Sequence, residues 1–135
     1  MAKGISNTSR TLQYLRSQGW VADKVEQFNA YAGKFGSRKD MFGFGDIVAM
    51  GEKSIIAIQS CGQAFSEHHR KITQDENVAP KALLWIENGG RLLLIGWRKV
   101  KLHKGGKAMR WQPRIKEYSL NDFLDTETEP EETEG

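Results

Sequence analysis

Two short apolar segments separated by a turn constrain the fold of this chain more than any other feature. The first covers residues 46–50 (DIVAM) and the second residues 54–61 (SIIAIQSC), with Gly51, Glu52 and Lys53 between them. Short segments rich in Ile, Val and Ala that end at a turn favour β-strands, because helices usually need about ten residues or more. We therefore predict a hairpin in the centre of a sheet, buried on both faces.

Helices are predicted on both sides of this hairpin. Ser6 or Thr8 can cap a first helix, and Gly19 can end it, since glycine is favoured just past a helix C-terminus. After the hairpin, residues 66–73 have a polar helical pattern, and Asn77 can cap a further helix that runs to residue 85. These helices are expected to pack on the faces of the sheet.

Further strands are predicted at residues 20–27, 91–97 and 109–118, and residues 29–45 are predicted as a glycine-rich loop. The order of elements predicts an α/β fold, with a mixed central sheet flanked by helices in a three-layer core. Phe42 and Phe44 in the loop either form a platform on which nucleobases stack or anchor the loop to the core.

One domain is predicted to cover residues 1–118, followed by a short helix and an acidic tail at residues 119–135. Ser119 can cap this helix, which Leu120, Phe123 and Leu124 would dock on the core. The last eleven residues, DTETEPEETEG, contain no apolar side chain and are predicted to be disordered. The four tryptophans are expected in the core: Trp20, Trp85, Trp97 and Trp111.

The charges are strongly segregated along the chain. All 20 basic residues precede Glu117, whereas eight of the 17 acidic residues lie at or after it. Residues 1–116 therefore carry 20 basic and nine acidic side chains, a net charge of +11. Such an excess is typical of a domain that binds phosphates, although solubility alone can also explain a basic surface.

The composition also excludes several classes of protein. No apolar run approaches the ~20 residues that a membrane-spanning helix needs, and the N-terminus lacks the apolar stretch of a secretory signal. Cys61 is the single cysteine, which excludes an internal disulfide and a cysteine-rich zinc site. We expect a cytoplasmic protein, in a bacterial or phage-infected cell, that does not bind a membrane.

The string RKDMFGFGDIVA at residues 38–49, followed by AIQS at residues 57–60, resembles the signature of the PD-(D/E)XK nuclease superfamily. The similarity is to its small phage-type and Holliday-junction-resolvase-like members, and it covers about residues 8–116. In that family an acid opens one strand of a central hairpin, and an acid, one further residue and a lysine close the next. The resemblance implies a restriction-endonuclease-like core, hydrolysis of DNA with Mg²⁺ or Mn²⁺ and, by analogy, a homodimer.

The resemblance assigns the opening acid to Asp46 and the second acid to Gln59. These residues lie at the same end of an antiparallel hairpin, so their side chains can converge on one divalent cation, which prefers oxygen ligands. The chain departs from the pattern twice, because Gln59 replaces an acid and Cys61 replaces the lysine. A glutamine still offers a carbonyl oxygen, but a cysteine does not replace an ammonium group.

Other residues can compensate for these departures. Glu26 matches an upstream acid that many family members add to the metal site, and Lys71 lies on the following helix, where a migrated lysine can reach the same site. The resemblance implies the metal ligands Glu26, Asp46, Gln59 and Ser60, and the catalytic residues Asp46, Gln59, Glu26 and Lys71. Asp40 is a further candidate carboxylate. For each residue the alternative is a structural role: a strand or turn acid, a buried amide or a solvated helix residue.

Two adjacent histidines, His68 and His69, suggest a metal site at first sight. Neighbouring residues on a helix point about 100° apart, so the pair is poorly placed to chelate one ion. A phosphate contact or an exposed helix face is the preferred interpretation. The DNA-binding residues are predicted among the basic side chains, with a phosphate-tracking surface near residues 99–114: Arg38, Lys39, Arg70, Lys99, Lys101, Lys104, Lys107, Arg110 and Arg114.

The function predicted from the sequence is a metal-dependent endonuclease that cleaves DNA, with a possible preference for branched or flapped structures. One alternative is a catalytically inactive DNA-binding module on a nuclease fold. Another is an interaction protein whose acidic tail mimics nucleic acid or binds a basic partner.

Overall fold

The structure, a computed structural model, describes residues 5–25, 27–29 and 37–124, with the backbone alone for 27–29, 37 and 38. Helix α1 begins the fold, and α2 and α3 lie between its fifth and sixth strands. The elements in chain order are α1 (Asn7–Ser17), β1 (Val21–Lys24), β2 (Gln27–Asn29), β3 (Ser37–Lys39), β4 (Ile47–Gly51), β5 (Ser54–Cys61), α2 (Phe65–Gln74), α3 (Ala79–Glu87), β6 (Arg91–Lys101), β7 (Met109–Glu117) and a 3₁₀ helix (Leu120–Phe123).

The predicted central hairpin is confirmed as β4 and β5. They are the second and third strands of a five-stranded sheet with the order β1-β4-β5-β6-β7. Glu52 and Lys53 connect them, and both have left-handed backbone (φ 50° and 64°), which matches the twist of a tight hairpin turn. The sheet is mixed because β5 and β6 run parallel, while the other neighbours are antiparallel.

Helices cover both faces of the sheet, so the α/β class with helices on either side of a mixed sheet is confirmed. Side chains alternate between the two faces along each strand. The core on the α1 side contains Leu15, Ala22, Ile47, Ala49, Ile56, Ile58, Ile95 and Trp97. The core on the α2–α3 side contains Phe44, Ala57, Cys61, Ile72, Val78, Ala82, Leu92, Leu94 and Tyr118. No helix of the described chain is long and apolar enough to cross a bilayer.

The central hairpin is not buried on both faces at its turn end, as the sequence suggested. Met50 and Ile55 are paired across β4 and β5, and Val21 of β1 lies opposite Met50. All three side chains are more than half exposed. The reason is tertiary, because α2 packs on β5 and β6 and α3 packs on β6, leaving this corner of the sheet without a helix.

Two predictions about local structure near the glycine-rich segment and α3 are wrong. Residues 37–39 within the predicted loop form β3, which pairs with β2 in a separate two-stranded sheet. Asn77 does not cap α3, which begins at Ala79 with Val78 in the capping position. The backbone N–H of Asn77 instead donates to Asp75 Oδ1 (2.7 Å), so the residue belongs to a turn.

The C-terminal elements follow the sequence with two corrections. Ser119 caps the 3₁₀ helix in a capping box with Asp122, and Phe123 packs against the core, as predicted. Leu120 and Leu124 are 49% and 62% exposed and do not dock. Trp111, 43% exposed, also lies outside the core. The acidic tail at 125–135 lies outside the described residues.

Candidate active site

Asp46 and Gln59 meet on the α2–α3 side of the sheet, where β4 begins and β5 ends. Gln59 Nε2 donates to Asp46 Oδ2 at 2.8 Å. Both side chains are buried, with 6% and 2% exposure. The hairpin register produces this contact, since the backbone N–H of Asp46 donates to the carbonyl of Ile58 immediately before Gln59.

Asp40 and Lys71 complete this group. Gln59 Nε2 also lies 3.3 Å from Asp40 Oδ2, and Lys71 Nζ lies 3.7 Å from the same oxygen. A tight turn brings the two acids together, because Met41 and Gly45 exchange backbone hydrogen bonds between them. We call Asp40, Asp46, Gln59 and Lys71 the carboxylate–amide site.

The Gln59 amide is only half satisfied. Its nitrogen donates to both carboxylates, whereas its oxygen, Oε1, is buried and accepts no hydrogen bond within the described structure. Buried polar atoms almost always have partners, so an unpaired one calls for an explanation such as a role in ligand binding. The nitrogen end of the same amide lies between two acids, and Gln59 is therefore a candidate ligand residue.

Ser60 contributes to the site through its backbone. Its N–H donates to Asp46 Oδ2 at 2.9 Å and helps to fix the carboxylate. Its hydroxyl points to the opposite side of the sheet, where it bonds Thr11 Oγ1 at 2.8 Å. Trp97 Nε1 donates to the same Thr11 oxygen at 2.8 Å. The side chain of Ser60 is thus part of a structural network on α1, and only its backbone is near the predicted metal ligands.

The two adjacent histidines on α2 have separate surroundings. His69 Nδ1 lies 2.7 Å from the Tyr118 hydroxyl, and the two rings stack. The pKa of His68 is lowered, mainly by burial and then by the charge of Lys71 one turn later on the helix. They do not form a shared site, and no group of three His, Cys, Asp or Glu side chains suited to a metal occurs in the described part of the chain.

Cys61, which the sequence resemblance aligns with a lysine, has its side chain buried in the α2–α3 core. Burial raises the pKa of the thiol to about 11, and the charge of Asp46 adds to this effect. Gly96 leaves little room beside it, since a Cβ there would lie 3.3 Å from Cys61 Sγ and 2.6 Å from Phe65. Lys71 therefore supplies a cation to the site from α2.

The predicted basic residues do not share one surface. On β6 and β7, Lys99 and Lys101 alternate onto the α1 side, whereas Arg110 and Arg114 lie on the side of the carboxylate–amide site. Strand alternation separates them, which the charge pattern alone does not reveal. The remaining predicted cations with described side chains are exposed: Lys39, Arg70, Lys104 and Lys107. Glu26 and the side chain of Arg38 lie outside the described residues.

Two further basic residues were missed by the sequence interpretation. Arg98 is exposed on β6 and lies on the same sheet face as Gln59, in register with Gln112. Arg10 of α1 stacks on the exposed Trp111 ring, with its Cζ 3.8 Å from the ring centroid. Alternation along the 91–101 strand was the signal for Arg98, whereas the Arg10 contact joins segments about a hundred residues apart.

Comparison with known proteins does not identify this chain: no family model, no curated protein and no solved structure matches it. The functional argument therefore depends on the geometry of the site and on the charge distribution.

Proposed function

We propose that this protein is a metal-dependent endonuclease that hydrolyses DNA phosphodiester bonds. The observation that carries the proposal is the Gln59 amide. Its nitrogen lies between two carboxylates, one of them paired with Lys71, and its buried oxygen has no hydrogen-bond partner in the part of the chain that the structure describes. The resemblance to PD-(D/E)XK nucleases, including the resolvase-like members, remains part of this proposal.

The residues present are compatible with Mg²⁺ or Mn²⁺. The site offers carboxylate oxygens from Asp40 and Asp46 and an amide oxygen from Gln59, the oxygen chemistry that Mg²⁺ prefers. The Gln59 nitrogen lies between the acids as a hydrogen-bond donor. A cation could replace it between the two carboxylates if the amide turned and presented its oxygen to the cation. Glutamine amides permit this exchange because their oxygen and nitrogen ends are almost equal in size.

Each residue has a distinct role in the proposed reaction. Asp40 and Asp46 would hold the cation, with Gln59 as a neutral ligand, and a cation in such a site activates water and offsets charge on the scissile phosphate. The Ser60 N–H keeps the Asp46 carboxylate oriented. Lys71 brings a positive charge next to Asp40 and would stabilise the charge that develops on the phosphate.

The charge distribution supports DNA as the substrate. Residues 1–116 carry a net charge of +11, and cations on β6 and β7 extend from the site on the same sheet face. Arg114 stacks on Phe65 of α2, with its Cζ 4.1 Å from the ring centroid, and so holds a guanidinium near the site. Arginine side chains ordered in this way suit phosphate contacts.

A second candidate is a DNA-binding module without catalytic activity. Gln59 in place of an acid lowers the negative charge available to a cation, and Cys61 in place of the lysine is buried and neutral. An interaction protein that uses its acidic tail is a third possibility, but the tail lies outside the described residues. A homodimer and a cytoplasmic location also remain predictions.

The test is cleavage of linear, nicked, flapped and four-way DNA with Mg²⁺, with Mn²⁺ and with EDTA. We expect cleavage with either metal and none with EDTA, and the panel reports the preferred DNA structure. Lys71→Gln should lower the rate of cleavage, whereas Lys24→Gln, an exposed lysine on the edge strand, should not. DNA binding without cleavage under every metal condition would favour the inactive module instead.

A further inference from the structure

A concave surface that does not include the carboxylate–amide site lies on the α2–α3 side of the sheet. It is a groove of about 720 Å³ between α3, the β4–β5 turn and Phe42. Its apolar walls are formed by Phe42, Ile55, Leu84 and Trp85. We call it the aromatic groove.

Three of these walls are unusually exposed for large apolar side chains. Phe42 and Ile55 are each 53% exposed, and Leu84 is 58% exposed. Contiguous exposed apolar surface on a folded domain commonly marks an interaction site. Phe44 behaves differently, because it is fully buried and packs against Trp85, so Phe44 anchors the loop. Phe42 contacts the Phe44 ring, with centroids 6.0 Å apart, but stays half exposed.

The backbone at Phe42 is strained in a way that presents its ring to the groove. Its φ is 56°, a left-handed conformation that is an outlier for a bulky residue. Phe42 lies in the turn between Asp40 and Asp46. The turn that brings the two acids to Gln59 therefore also places an aromatic ring at the rim of the groove.

The charged side chains that line the groove are all basic. Lys53, Lys81 and Arg91 line it, and none of the described lining residues is acidic. Arg91 uses its guanidinium in two hydrogen bonds to Glu117, each 2.8 Å long. Lys53 and Lys81 are exposed and form no ion pair with another described residue. The groove thus combines apolar walls with two available ammonium groups.

We propose that the aromatic groove binds an unpaired nucleotide of the DNA substrate, with its base against Phe42 and Leu84 and its phosphates near Lys53 and Lys81. Aromatic and apolar walls suit a base of any sequence, and lysines suit the backbone. Ile55 and Gln59 are four residues apart on β5, about 13 Å, which is roughly the rise of four stacked nucleotides. This inference rests on the proposed function, because it takes DNA as the polymer that the protein binds.

The same charges argue against a second copy of this chain as the occupant. A two-fold symmetric contact places the same patch of both copies face to face. Here that arrangement would bring lysines towards lysines, with no acidic lining residue to offset them. Nucleic acid has the complementary charge.

The experiment measures binding in EDTA, so that cleavage does not interfere. The probes are a labelled oligo-dT strand and a blunt duplex of the same length, compared by fluorescence anisotropy. Phe42→Gly removes the ring and relieves the positive φ, and Leu84→Glu adds an acid to an exposed wall. We expect each to weaken oligo-dT binding about tenfold, the order of one lost base-stacking contact, and to leave duplex binding unchanged. Leu124→Glu, at a similarly exposed leucine outside the groove, should change neither.

The lysines have a separate readout. Lys53→Gln combined with Lys81→Gln should reduce the salt dependence of oligo-dT binding by a slope of about 1.4, since each single-strand phosphate contact contributes about 0.7. Lys24→Gln, on the edge strand outside the groove, is the matched control and should leave the slope unchanged.

The outcomes separate this proposal from the proposed function. Normal oligo-dT binding by Phe42→Gly and Leu84→Glu overturns the groove proposal, even if the parent protein cleaves DNA. Selective loss of oligo-dT binding supports it, even if no metal yields cleavage. If these variants instead convert a dimer to a monomer in sedimentation velocity and keep oligo-dT affinity, a second copy occupies the groove and the proposal is wrong.

Discussion

Gln59 and Ser60 are neighbours on β5, yet they belong to buried polar groups of opposite character. Ser60 faces α1, where its hydroxyl bonds Thr11 and the Thr11 oxygen also accepts from Trp97. Gln59 faces α2, where its nitrogen bonds two carboxylates and its oxygen accepts no bond within the described structure. Both side chains are at least nine-tenths buried, so burial does not distinguish them.

The difference between the two groups is hydrogen-bond satisfaction. The Thr11 network joins α1, β5 and β6 with neutral groups, which is sufficient to stabilise and orient the core. The carboxylate–amide site places two acids around one amide and leaves an acceptor without a partner among residues 5–25, 27–29 and 37–124. This arrangement costs stability unless a ligand completes it. We therefore assign a structural role to the first group and a functional role to the second, and the following variants test that assignment.

The largest expected effect is on cleavage. Asp46→Ala would remove the acceptor of the Ser60 N–H and the shorter of the two bonds from Gln59 Nε2, so the isosteric Asp46→Asn is the better probe. We expect this variant to lower the cleavage rate by more than about 100-fold. That loss is larger than the one expected when only a residue that orients a metal ligand is removed. Asp23→Asn, at a carboxylate that is 86% exposed, is the control. Equal cleavage by Asp46→Asn and the parent would exclude Asp46 from the mechanism.

Thr11→Val should give the largest loss of stability without loss of function. The substitution keeps the shape of a fully buried residue but leaves the Trp97 N–H and the Ser60 hydroxyl unpaired, at about 1–3 kcal/mol for each group. Urea unfolding measures this cost, with Thr8→Val on the same helix as control. The cleavage rate per folded molecule should stay at the parent value. A fall in that rate with normal stability would contradict the structural role of the network.

Gln59→Glu should destabilise the protein in the absence of metal, and added metal should remove that destabilisation. In EDTA the new carboxylate lies beside Asp40 and Asp46 and loses the amide donor, so we expect a loss of about 1–3 kcal/mol. Mg²⁺ should bind more tightly than in the parent, since ligand charge sets affinity for hard cations, and should restore the melting temperature. Calorimetry and thermal melts check both effects, with the exposed Gln63→Glu as control. Identical Mg²⁺ affinity in variant and parent would argue against Gln59 as a ligand.

The smallest expected effect concerns His68 and pH. Burial lowers its pKa in the folded protein below 6.5, so the unfolded chain binds the proton more readily. The contribution of His68 to stability is therefore complete above pH 6.5 and is lost as the pH falls through the window between 6.5 and the lower folded pKa. His68→Gln should flatten this part of the unfolding profile, whereas His103→Gln, in the exposed β6–β7 turn, should not. Parallel profiles for His68→Gln and the parent would contradict a buried neutral His68.

The elements of the fold could largely be predicted from local pattern. Apolar runs indicated β4, β5 and β6, and Ser6 and Gly19 delimited α1 as expected. Predictions failed where a distant element decides the environment. Met50 and Ile55 are apolar but exposed because no helix packs on their corner of the sheet. Trp111 is exposed because the β6–β7 hairpin places its ring against Arg10, outside the core.

The candidate site could be predicted in part. The hairpin geometry placed Asp46 and Gln59 together, and the helical position of Lys71 proved close enough to reach Asp40. Asp40 was a minor candidate, because its approach to Gln59 depends on the tight turn at residues 41–45. The catalytic and metal-binding role of Glu26 and the DNA-binding role of Arg38 stay predictions, and so does DNA as the substrate.

By itself, the sequence determined most of the strands and helices. It also determined which end of the central hairpin carries the acid and the amide, and how the charge divides along the chain. These properties follow from periodicity, turn chemistry and covalent order, which act over a few residues. Only the tertiary structure decided that Gln59 Oε1 has no hydrogen-bond partner among the described residues. It also decided that Cys61 is buried in the core while Lys71 brings a positive charge to the site, and that Phe42 borders an open groove. Hydrogen-bond partners and exposure depend on which elements pack together, and those elements lie far apart in the chain.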